Sequence, residues 1–126
     1  MPEETDIILV VDDENIVRSM ICEMLSDMGY HTHDFSDPVE AVDFYRLHFS
    51  DIALVMIDMT MPGLNGRETF FLMKKTNPDI RAVIFSGSDM NEDIERVLKE
   101  SRVFFLKKPV DYNSLQNSVE AALKMV

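Results

Sequence analysis

Residues 52–63 read IALVMIDMTMPG, which is six apolar residues, then Asp58, then a short segment that ends in Pro62-Gly63. An apolar run with almost no polar alternation is typical of a strand that is covered on both faces, as in a parallel sheet. The Pro-Gly pair predicts a turn after it. We therefore expect the carboxylate of Asp58 to lie where a buried strand ends, at the edge of the sheet.

The same unit, an apolar run followed by an amphipathic stretch, occurs five times along the chain. The predicted strands are residues 7–11, 30–35, 52–57, 80–85 and 103–106. The second run alternates more than the others, which favours an edge strand. The predicted helices cover about 16–28, 38–49, 65–76, 91–99 and 113 onward. Strands that alternate with helices indicate a parallel sheet between two helix layers, and we expect one α/β domain over residues 1–126.

The composition narrows the class of protein. The chain has 126 residues, 46% of them hydrophobic, and a formal net charge of −11. Because nucleic acids and membrane surfaces are negatively charged, this balance argues against both as direct partners. Cys22 is the single cysteine, so an intrachain disulfide is excluded and a small buried thiol is expected. No run is long enough for a signal peptide or a membrane span, and a cytoplasmic location is expected.

Acidic residues follow the first and third predicted strands. Asp12-Asp13-Glu14 come directly after the first strand, and Asp58 comes directly after the third. One aspartate of the first group could cap the next helix, and Asp58 could be a turn residue. Alternatively, the adjacent carboxylates could bind Mg²⁺, which prefers oxygen ligands and bridges to phosphoryl oxygens. A carboxylate such as Asp58 can also act as a nucleophile and form an acyl phosphate.

A hydroxyl and an ammonium group follow the fourth and fifth predicted strands. Ser86-Gly87-Ser88 follow the fourth strand, and Lys107-Lys108-Pro109 follow the fifth. Each group alone could be an ordinary turn. In a parallel sheet, however, the carboxyl ends of the strands meet at one edge, where ligands bind. A set of carboxylates, a hydroxyl and a lysine at one edge therefore indicates phosphate chemistry with a divalent cation.

These motifs resemble the receiver domains of two-component signalling. The matching segments are VDDE at 11–14, IDMTMPGLNG at 57–66, FSG at 85–87 and LKKP at 106–109, and the similarity spans essentially the whole chain. The resemblance implies a flavodoxin-like (βα)5 sandwich with strand order 2-1-3-4-5. It also implies that Asp58 is the phosphoacceptor. Asp12, Asp13, Asp58 and the backbone carbonyl of Thr60 are implied to be the Mg²⁺ ligands.

The resemblance further implies roles around the phosphoacceptor. Lys108 would contact the phosphoryl group, and Ser86 would be the switch hydroxyl that is drawn toward it. Phe105 would be the aromatic residue that changes rotamer on activation, although ordinary core packing is the alternative. Thr60 and Ser88 would tune the rate of dephosphorylation.

The implied function is a phosphorylation-dependent switch rather than an enzyme, since the chain would catalyse only its own phosphorylation and slow dephosphorylation. The donor would be a histidine kinase or a histidine phosphotransfer protein. The surface made by the fourth helix, fifth strand and fifth helix would bind an output partner protein or a second copy of the chain. Two departures from the family pattern bear on that surface: Ser101-Arg102 replaces a common Gly-Ala, and Phe104 adds apolar area beside Phe105.

Several alternatives share the fold or the chemistry. A flavodoxin-like carrier needs a donor-rich phosphate loop where this chain has Asp12-Asp13. A Mg²⁺-dependent phosphohydrolase with an aspartyl-phosphate intermediate would carry its nucleophile after the first strand, in an Asp-x-Asp arrangement that is absent. A receiver-like interaction module that does not use phosphorylation remains open, although the full set of polar residues argues against it.

Overall fold

The computed structural model describes residues 7–125. The strands are β1 (Ile7–Val11), β2 (His31–Phe35), β3 (Ile52–Asp58), β4 (Ala82–Ser86) and β5 (Val103–Lys107). The helices are α1 (Asn15–Asp27), α2 (Pro38–His48), α3 (Gly66–Thr76), α4 (Glu92–Leu98) and α5 (Tyr112–Lys124), and a 3-10 turn covers Phe49–Asp51. None of the helices in this part of the chain is both long and apolar enough to cross a bilayer.

The five strands form one parallel sheet in the order β2-β1-β3-β4-β5, which confirms the predicted fold. The register places Val11 opposite Ile57, Asp58 opposite Phe85, and Ser86 opposite Lys107. The carboxyl ends of β1, β3, β4 and β5 therefore lie side by side. The strand order reverses beside β1, and this is the place where open α/β sheets bind their ligands.

Each face of the sheet has its own core, which explains the weak alternation in the β3 sequence. Val55 and Ile57 point into a core shared with α2, α3 and α4, whereas Leu54 and Met56 point into a core shared with α1 and α5. All four side chains are at most 1% exposed. Fully burying an aliphatic side chain contributes about 1.5–3 kcal/mol, so β3 anchors both layers and holds Asp58 at its end.

Side-chain caps mark the beginning of α2, α3, α4 and α5, whereas α1 begins without one. Asp37 accepts a hydrogen bond from the Val39 amide at the start of α2, and Asn65 forms a capping box with Glu68 at the start of α3. Asn91 and Asp111 cap α4 and α5 in the same way. Such caps satisfy backbone amides that have no partner within the helix.

Two strands begin later than the sequence predicts. The Tyr30 amide donates to the Leu25 carbonyl at 3.0 Å, and Gly29 has φ +99°, so this segment closes α1 instead of starting β2. The Ile80 amide donates to the Asn77 carbonyl at 3.1 Å, which keeps Ile80 in a turn before β4. The sequence pattern includes both residues in the strands because Tyr30 and Ile80 are apolar and pack against the core, as strand residues do.

The residues that depart from the family pattern have clear positions. Arg102 has φ +66°, a left-handed conformation that is uncommon for a residue with a side chain, so the backbone before β5 is unusual. Phe104 packs against the core of α1 and α5, whereas Phe105 packs against the core of α2, α3 and α4. The two half-buried rings therefore lie on opposite sides of the edge strand β5.

Cys22 lies half-buried at the rim of the core shared with α1 and α5. Burial, together with the nearby Asp34 carboxylate, raises the pKa of the Cys22 thiol above its ordinary value. Because the thiolate is the reactive form, this thiol is less reactive than an exposed one, although it is only partly buried where the sequence predicts a buried thiol.

Candidate functional site

The residues expected at the strand ends converge at the carboxyl edge of the sheet. Asp58 is the last residue of β3 and is 1% exposed, and Asp12 follows β1 and is 0% exposed. Ser86 ends β4 and is also fully buried, while Lys108 follows β5 and reaches back over this edge. The sequence predicts Asp58 at the edge, and the structure places it there as a buried side chain.

Three carboxylates gather at this edge. Asp12, Glu14 and Asp58 each offer an oxygen, and these oxygens lie within 4.8 Å of one another. Asp12 Oδ1 accepts a hydrogen bond from the Glu14 amide at 2.9 Å, which shapes the turn between β1 and α1. Among the described residues, the group that meets this distance includes Glu14 and not Asp13, although both residues are exposed. Glu14 is not among the ligands predicted from the sequence, although it belongs to the VDDE motif at 11–14.

Lys108 supplies the positive charge at this site. Its Nζ lies 2.9 Å from Glu14 Oε1 and 3.5 Å from both Asp12 Oδ2 and Asp58 Oδ2. Burial alone would lower the pKa of Lys108, but the hydrogen bond to Glu14 and the charges of Asp58 and Asp12 raise it above its ordinary value. The ammonium group is therefore firmly protonated at neutral pH, and when all groups are ionised it faces three carboxylates.

One ammonium group leaves this cluster short of positive charge. Within residues 7–125, Asp12 Oδ2 and Asp58 Oδ2 are the buried side-chain oxygens that lack a hydrogen-bond partner. Burial, and then the neighbouring Asp12 carboxylate, raises the pKa of Asp58 to about 7. Buried carboxylate oxygens without partners are costly, and a hard divalent cation such as Mg²⁺ relieves that cost. The all-oxygen donor set thus fits Mg²⁺.

Thr60, Ser86 and Ser88 form a small polar group beside Asp58. The Thr60 amide donates to Asp58 Oδ1 at 3.1 Å, and Thr60 Oγ1 lies 3.5 Å from Ser86 Oγ. Ser86 Oγ also accepts a hydrogen bond from the Ser88 amide at 3.0 Å. The structure thus brings together the three residues that the resemblance connects with switching and dephosphorylation. Phe105 lies half-buried on the neighbouring strand.

Gly66 supports the site through a close approach to the backbone at the end of β3. A Cβ at this position would lie 2.5 Å from Met59 Cα and 2.6 Å from the Asp58 carbonyl oxygen. Only glycine allows the first turn of α3 to approach the Asp58 backbone this closely. From local residues alone, Asn65-Gly66 is an ordinary turn pair, because a long-range backbone contact leaves no local signal.

Comparison with known proteins identifies the family to which the chain is similar. The family model described as response regulator receiver domain matches residues 8–120. Sporulation initiation phosphotransferase F of Bacillus subtilis is 27% identical over 118 residues, which is 94% of each chain. The sensor kinase CckA of Brucella abortus is 27% identical over 117 residues, and these span 93% of this chain but only 12% of that protein.

Solved structures agree with this placement. The crystal structure of a response regulator receiver domain protein from Clostridium thermocellum superposes with a TM-score of 0.84 at 27% identity, covering 94% of each chain. The matched sequence, the strand order and the acidic edge all point to the same conclusion: the chain belongs to the response regulator receiver domain family of two-component systems.

Proposed function

We propose that the chain is a switch that accepts a phosphoryl group on Asp58, with Mg²⁺, from the phosphohistidine of a histidine kinase or a histidine phosphotransfer protein. The observation that carries the proposal is the pair of buried oxygens, Asp12 Oδ2 and Asp58 Oδ2, which lack hydrogen-bond partners beside Lys108 Nζ. Receiver domains are signalling switches rather than enzymes that act on other substrates. Self-catalysed phosphorylation and slow dephosphorylation are part of the proposal.

The proposed transfer is an in-line displacement at phosphorus. A carboxylate oxygen of Asp58 forms the new O–P bond while the N–P bond of the phosphohistidine breaks, and the imidazole nitrogen keeps the electron pair. The Lys108 ammonium group, 3.5 Å from Asp58 Oδ2, pairs with the phosphoryl oxygens as they approach. Mg²⁺ bound at this edge supplies the additional positive charge that phosphoryl oxygens need beside carboxylates.

The ligand set of the cation is also a proposal. We retain Asp12, Asp13, Asp58 and the backbone carbonyl of Thr60 as candidate ligands, and we add Glu14 because its carboxylate lies in the acidic group. Binding of the cation would release Glu14 from Lys108, which it contacts at 2.9 Å, and leave the ammonium group free for the phosphoryl group.

The proposed switch begins at Ser86. A phosphoryl oxygen on Asp58 is a stronger acceptor than the neighbouring hydroxyl of Thr60, which lies 3.5 Å away, so it draws the Ser86 hydroxyl toward it. Phe105 then turns into the vacated space and changes the surface formed by α4, β5 and α5, which binds an output partner or a second copy. Thr60 and Ser88 both contact Ser86 and are placed to tune the lifetime of the phosphoryl group.

A groove of about 320 Å³ offers a place for the donor. It is lined by Glu14, Val17, Met20, Lys108, Pro109 and Val110. Ile16, the residue before Val17 on α1, is 84% exposed, so its apolar side chain is also available to a partner. The groove opens directly beside the Lys108–Glu14 pair, so an apolar helix of a phosphodonor seated there would bring its histidine to the acidic edge.

The domain extent of 1–126 and a cytoplasmic location stay predictions.

The test is intact mass spectrometry after incubation with Mg²⁺ and acetyl phosphate, which replaces the unidentified protein donor. We expect a gain of one phosphoryl group with Mg²⁺, no gain with EDTA, and no gain for Asp58→Asn in Mg²⁺. Equal labelling of the wild type and Asp58→Asn would contradict the proposal. If the wild type binds Mg²⁺ but gains no mass from acetyl phosphate or a phosphorylated donor, the chain is an interaction module that does not use phosphorylation.

A further inference from the structure

Arg18 makes an unusual set of contacts behind the acidic edge. Its guanidinium donates to Asp34 Oδ2 through Nε, to the Asp12 carbonyl through Nη1 and to Asn15 Oδ1 through Nη2, each at 2.8 Å. These acceptors belong to β2, to the residue that follows β1 and to the first residue of α1. Although arginine is normally exposed, this side chain is only 15% exposed. It therefore connects three elements at the point where the chain leaves β1.

The contact with Asp12 has a specific consequence for the candidate metal site. The Asp12 amide donates to the Phe35 carbonyl at 3.2 Å, its carbonyl accepts from Arg18, and its Oδ1 accepts from the Glu14 amide. Only Oδ2 lacks a hydrogen bond, and it is the oxygen that lies 3.5 Å from Lys108 Nζ. Arg18 thus completes the set of bonds that leaves a single oxygen of Asp12 available.

We propose that Arg18 is a positioning residue for phosphoryl transfer. It fixes the turn that aims Asp12 Oδ2 and Glu14 toward Asp58, and in this way it sets the affinity of the site for a divalent cation. Asp34 in turn fixes the plane of the guanidinium. The inference rests on the proposed function, since it concerns the same site, but it assigns a role to a residue that touches neither the phosphoryl group nor the cation.

Geometry, more than charge, is the basis of this role. A guanidinium is planar and carries five N–H donors in a fixed arrangement, so it can reach three acceptors at once. A lysine at this position keeps the positive charge but offers a single ammonium nitrogen that cannot span the same acceptors. Arg18→Lys therefore separates the two explanations, and Arg18→Met removes the charge while keeping an apolar stem.

The experiment compares Arg18→Lys, Arg18→Met and Asp34→Asn with Arg46→Met as a matched control. Arg46 also pairs with an aspartate, Asp43 at 3.0 Å, but this pair is exposed on α2. We would measure Mg²⁺ binding by isothermal titration calorimetry and, separately, the initial rate of phosphorylation by acetyl phosphate across a series of Mg²⁺ concentrations. The melting temperature of each variant without Mg²⁺ shows whether it is folded.

We expect both Arg18 variants to raise the Kd for Mg²⁺ by roughly tenfold, as is usual when a partner of a metal ligand is lost. At saturating Mg²⁺ their phosphorylation rate should return to within about threefold of the wild type, because uniform loss of binding spares the chemical step. Asp34→Asn should raise the Kd less than the Arg18 variants do, and Arg46→Met should leave it unchanged.

A Kd for Mg²⁺ within about twofold of the wild type in folded Arg18→Lys would overturn the inference. A rate that stays low at saturating Mg²⁺ would overturn it too, because general damage and not positioning would explain the loss. If Arg18→Met does not fold, the Kd values of Arg18→Lys and Asp34→Asn for Mg²⁺ still decide whether Arg18 positions the site. Absence of Mg²⁺ binding in the wild type is a distinct result, and it would overturn the proposed function together with this inference.

Discussion

The two edges of the sheet differ in how their polar groups are satisfied. The amino edge holds a cavity of about 440 Å³, larger than the groove of about 320 Å³ beside the acidic cluster. Its lining includes Tyr45, Phe49, Asn77, Asp79, Arg81 and Arg102. Aromatic and charged side chains around a cavity of this size are typical of a ligand site. By size alone, the amino edge would be the first candidate for function.

The hydrogen bonds favour the opposite conclusion. At the amino edge, Asn77 Nδ2 donates to the Tyr45 hydroxyl at 3.0 Å, and the Arg81 guanidinium donates to the carbonyls of Leu123 and Met125. At the carboxyl edge, Asp12 Oδ2 and Asp58 Oδ2 are buried without such partners. Buried polar groups are normally paired, so the exceptions identify where function has been kept at a cost in stability. The buried carboxylate oxygens that lack a hydrogen bond, and not the larger cavity, mark the site.

The largest expected effect separates the edges by activity. Asp12→Asn should lower the initial rate of phosphorylation by acetyl phosphate on the order of a hundredfold at a fixed Mg²⁺ concentration, because a charge that holds the cation is lost. Arg102→Met at the amino edge is the matched control and should leave the rate within about twofold. Comparable losses in both variants, measured by quenched-flow mass spectrometry, would mean that the two edges do not differ in function.

Gly66 and Gly87 test how tightly the carboxyl edge is built. Gly66→Ala should lower the free energy of unfolding by about 2 kcal/mol, because its Cβ would overlap the backbone of Asp58 and Met59. At Gly87 the nearest atom to a new Cβ is Lys108 Cβ at 3.9 Å, an ordinary contact. Gly87→Ala should therefore change stability by less than about 0.5 kcal/mol in urea titrations. Equal stabilities for the two variants would contradict the close approach of α3 to Asp58.

Neutralising Asp58 should stabilise the protein when Mg²⁺ is removed. The pKa of Asp58 is about 7 in the folded protein, against about 3.9 for an unperturbed aspartate. Between these values the folded protein binds more protons than the unfolded chain, so wild-type stability falls as pH rises through the window from about 4 to 7. In EDTA at pH 8, Asp58→Asn should be more stable than the wild type by at least about 1 kcal/mol.

The comparison variant at the amino edge should change stability in the other direction. Tyr45→Phe removes the acceptor of the Asn77 amide and should lower the free energy of unfolding by about 1 kcal/mol. Urea titrations at pH 5 and pH 8 measure both variants, and the pH dependence of the wild type should weaken in Asp58→Asn. A less stable Asp58→Asn at pH 8 would show that the carboxylate is satisfied in the ion-free protein.

The smallest expected effect concerns the switch. Ser86→Ala should change the rate of phosphorylation by no more than about threefold, since Ser86 Oγ bonds to the Ser88 amide and not to Asp58. In this variant, however, phosphorylation of Asp58 should no longer change the environment of Phe105 on β5. We expect the phosphorylation-dependent shift of the Phe105 amide resonance, followed by NMR, to be lost in Ser86→Ala and kept in Ser88→Ala. A full shift in Ser86→Ala would contradict the role of this hydroxyl.

The amino-acid sequence predicts most of the fold because the signals are local. The unbroken apolar run of β3 requires cover on both faces, and the structure provides two cores. The cap of α2 at Asp37-Pro38 is likewise readable from adjacent residues. The strand order came from the resemblance and not from the residues, since several orders satisfy the same periodicity.

The details of the site depend on contacts that are distant in sequence. Glu14 lies near Asp12 and Asp58 at a turn in which the Asp12 carbonyl accepts a hydrogen bond from Arg18, and Arg18 also contacts Asp34, sixteen residues further along the chain. The requirement for Gly66 arises from the backbone of Asp58, which local patterns do not reveal. The polar residues that follow the strands could therefore be predicted as a group, whereas the contacts that their side chains make with one another could not.

The most direct test of the central claim locates the phosphoryl group chemically. The protein is incubated with acetyl phosphate and Mg²⁺, treated with borohydride, which reduces an acyl phosphate to an alcohol, and digested for peptide mass mapping. We predict that the aspartate at position 58 is converted to homoserine with Mg²⁺ and stays unchanged with EDTA. Conversion at another carboxylate, or none at position 58 in protein that has gained a phosphoryl group, would contradict the assignment of Asp58 as the phosphoacceptor.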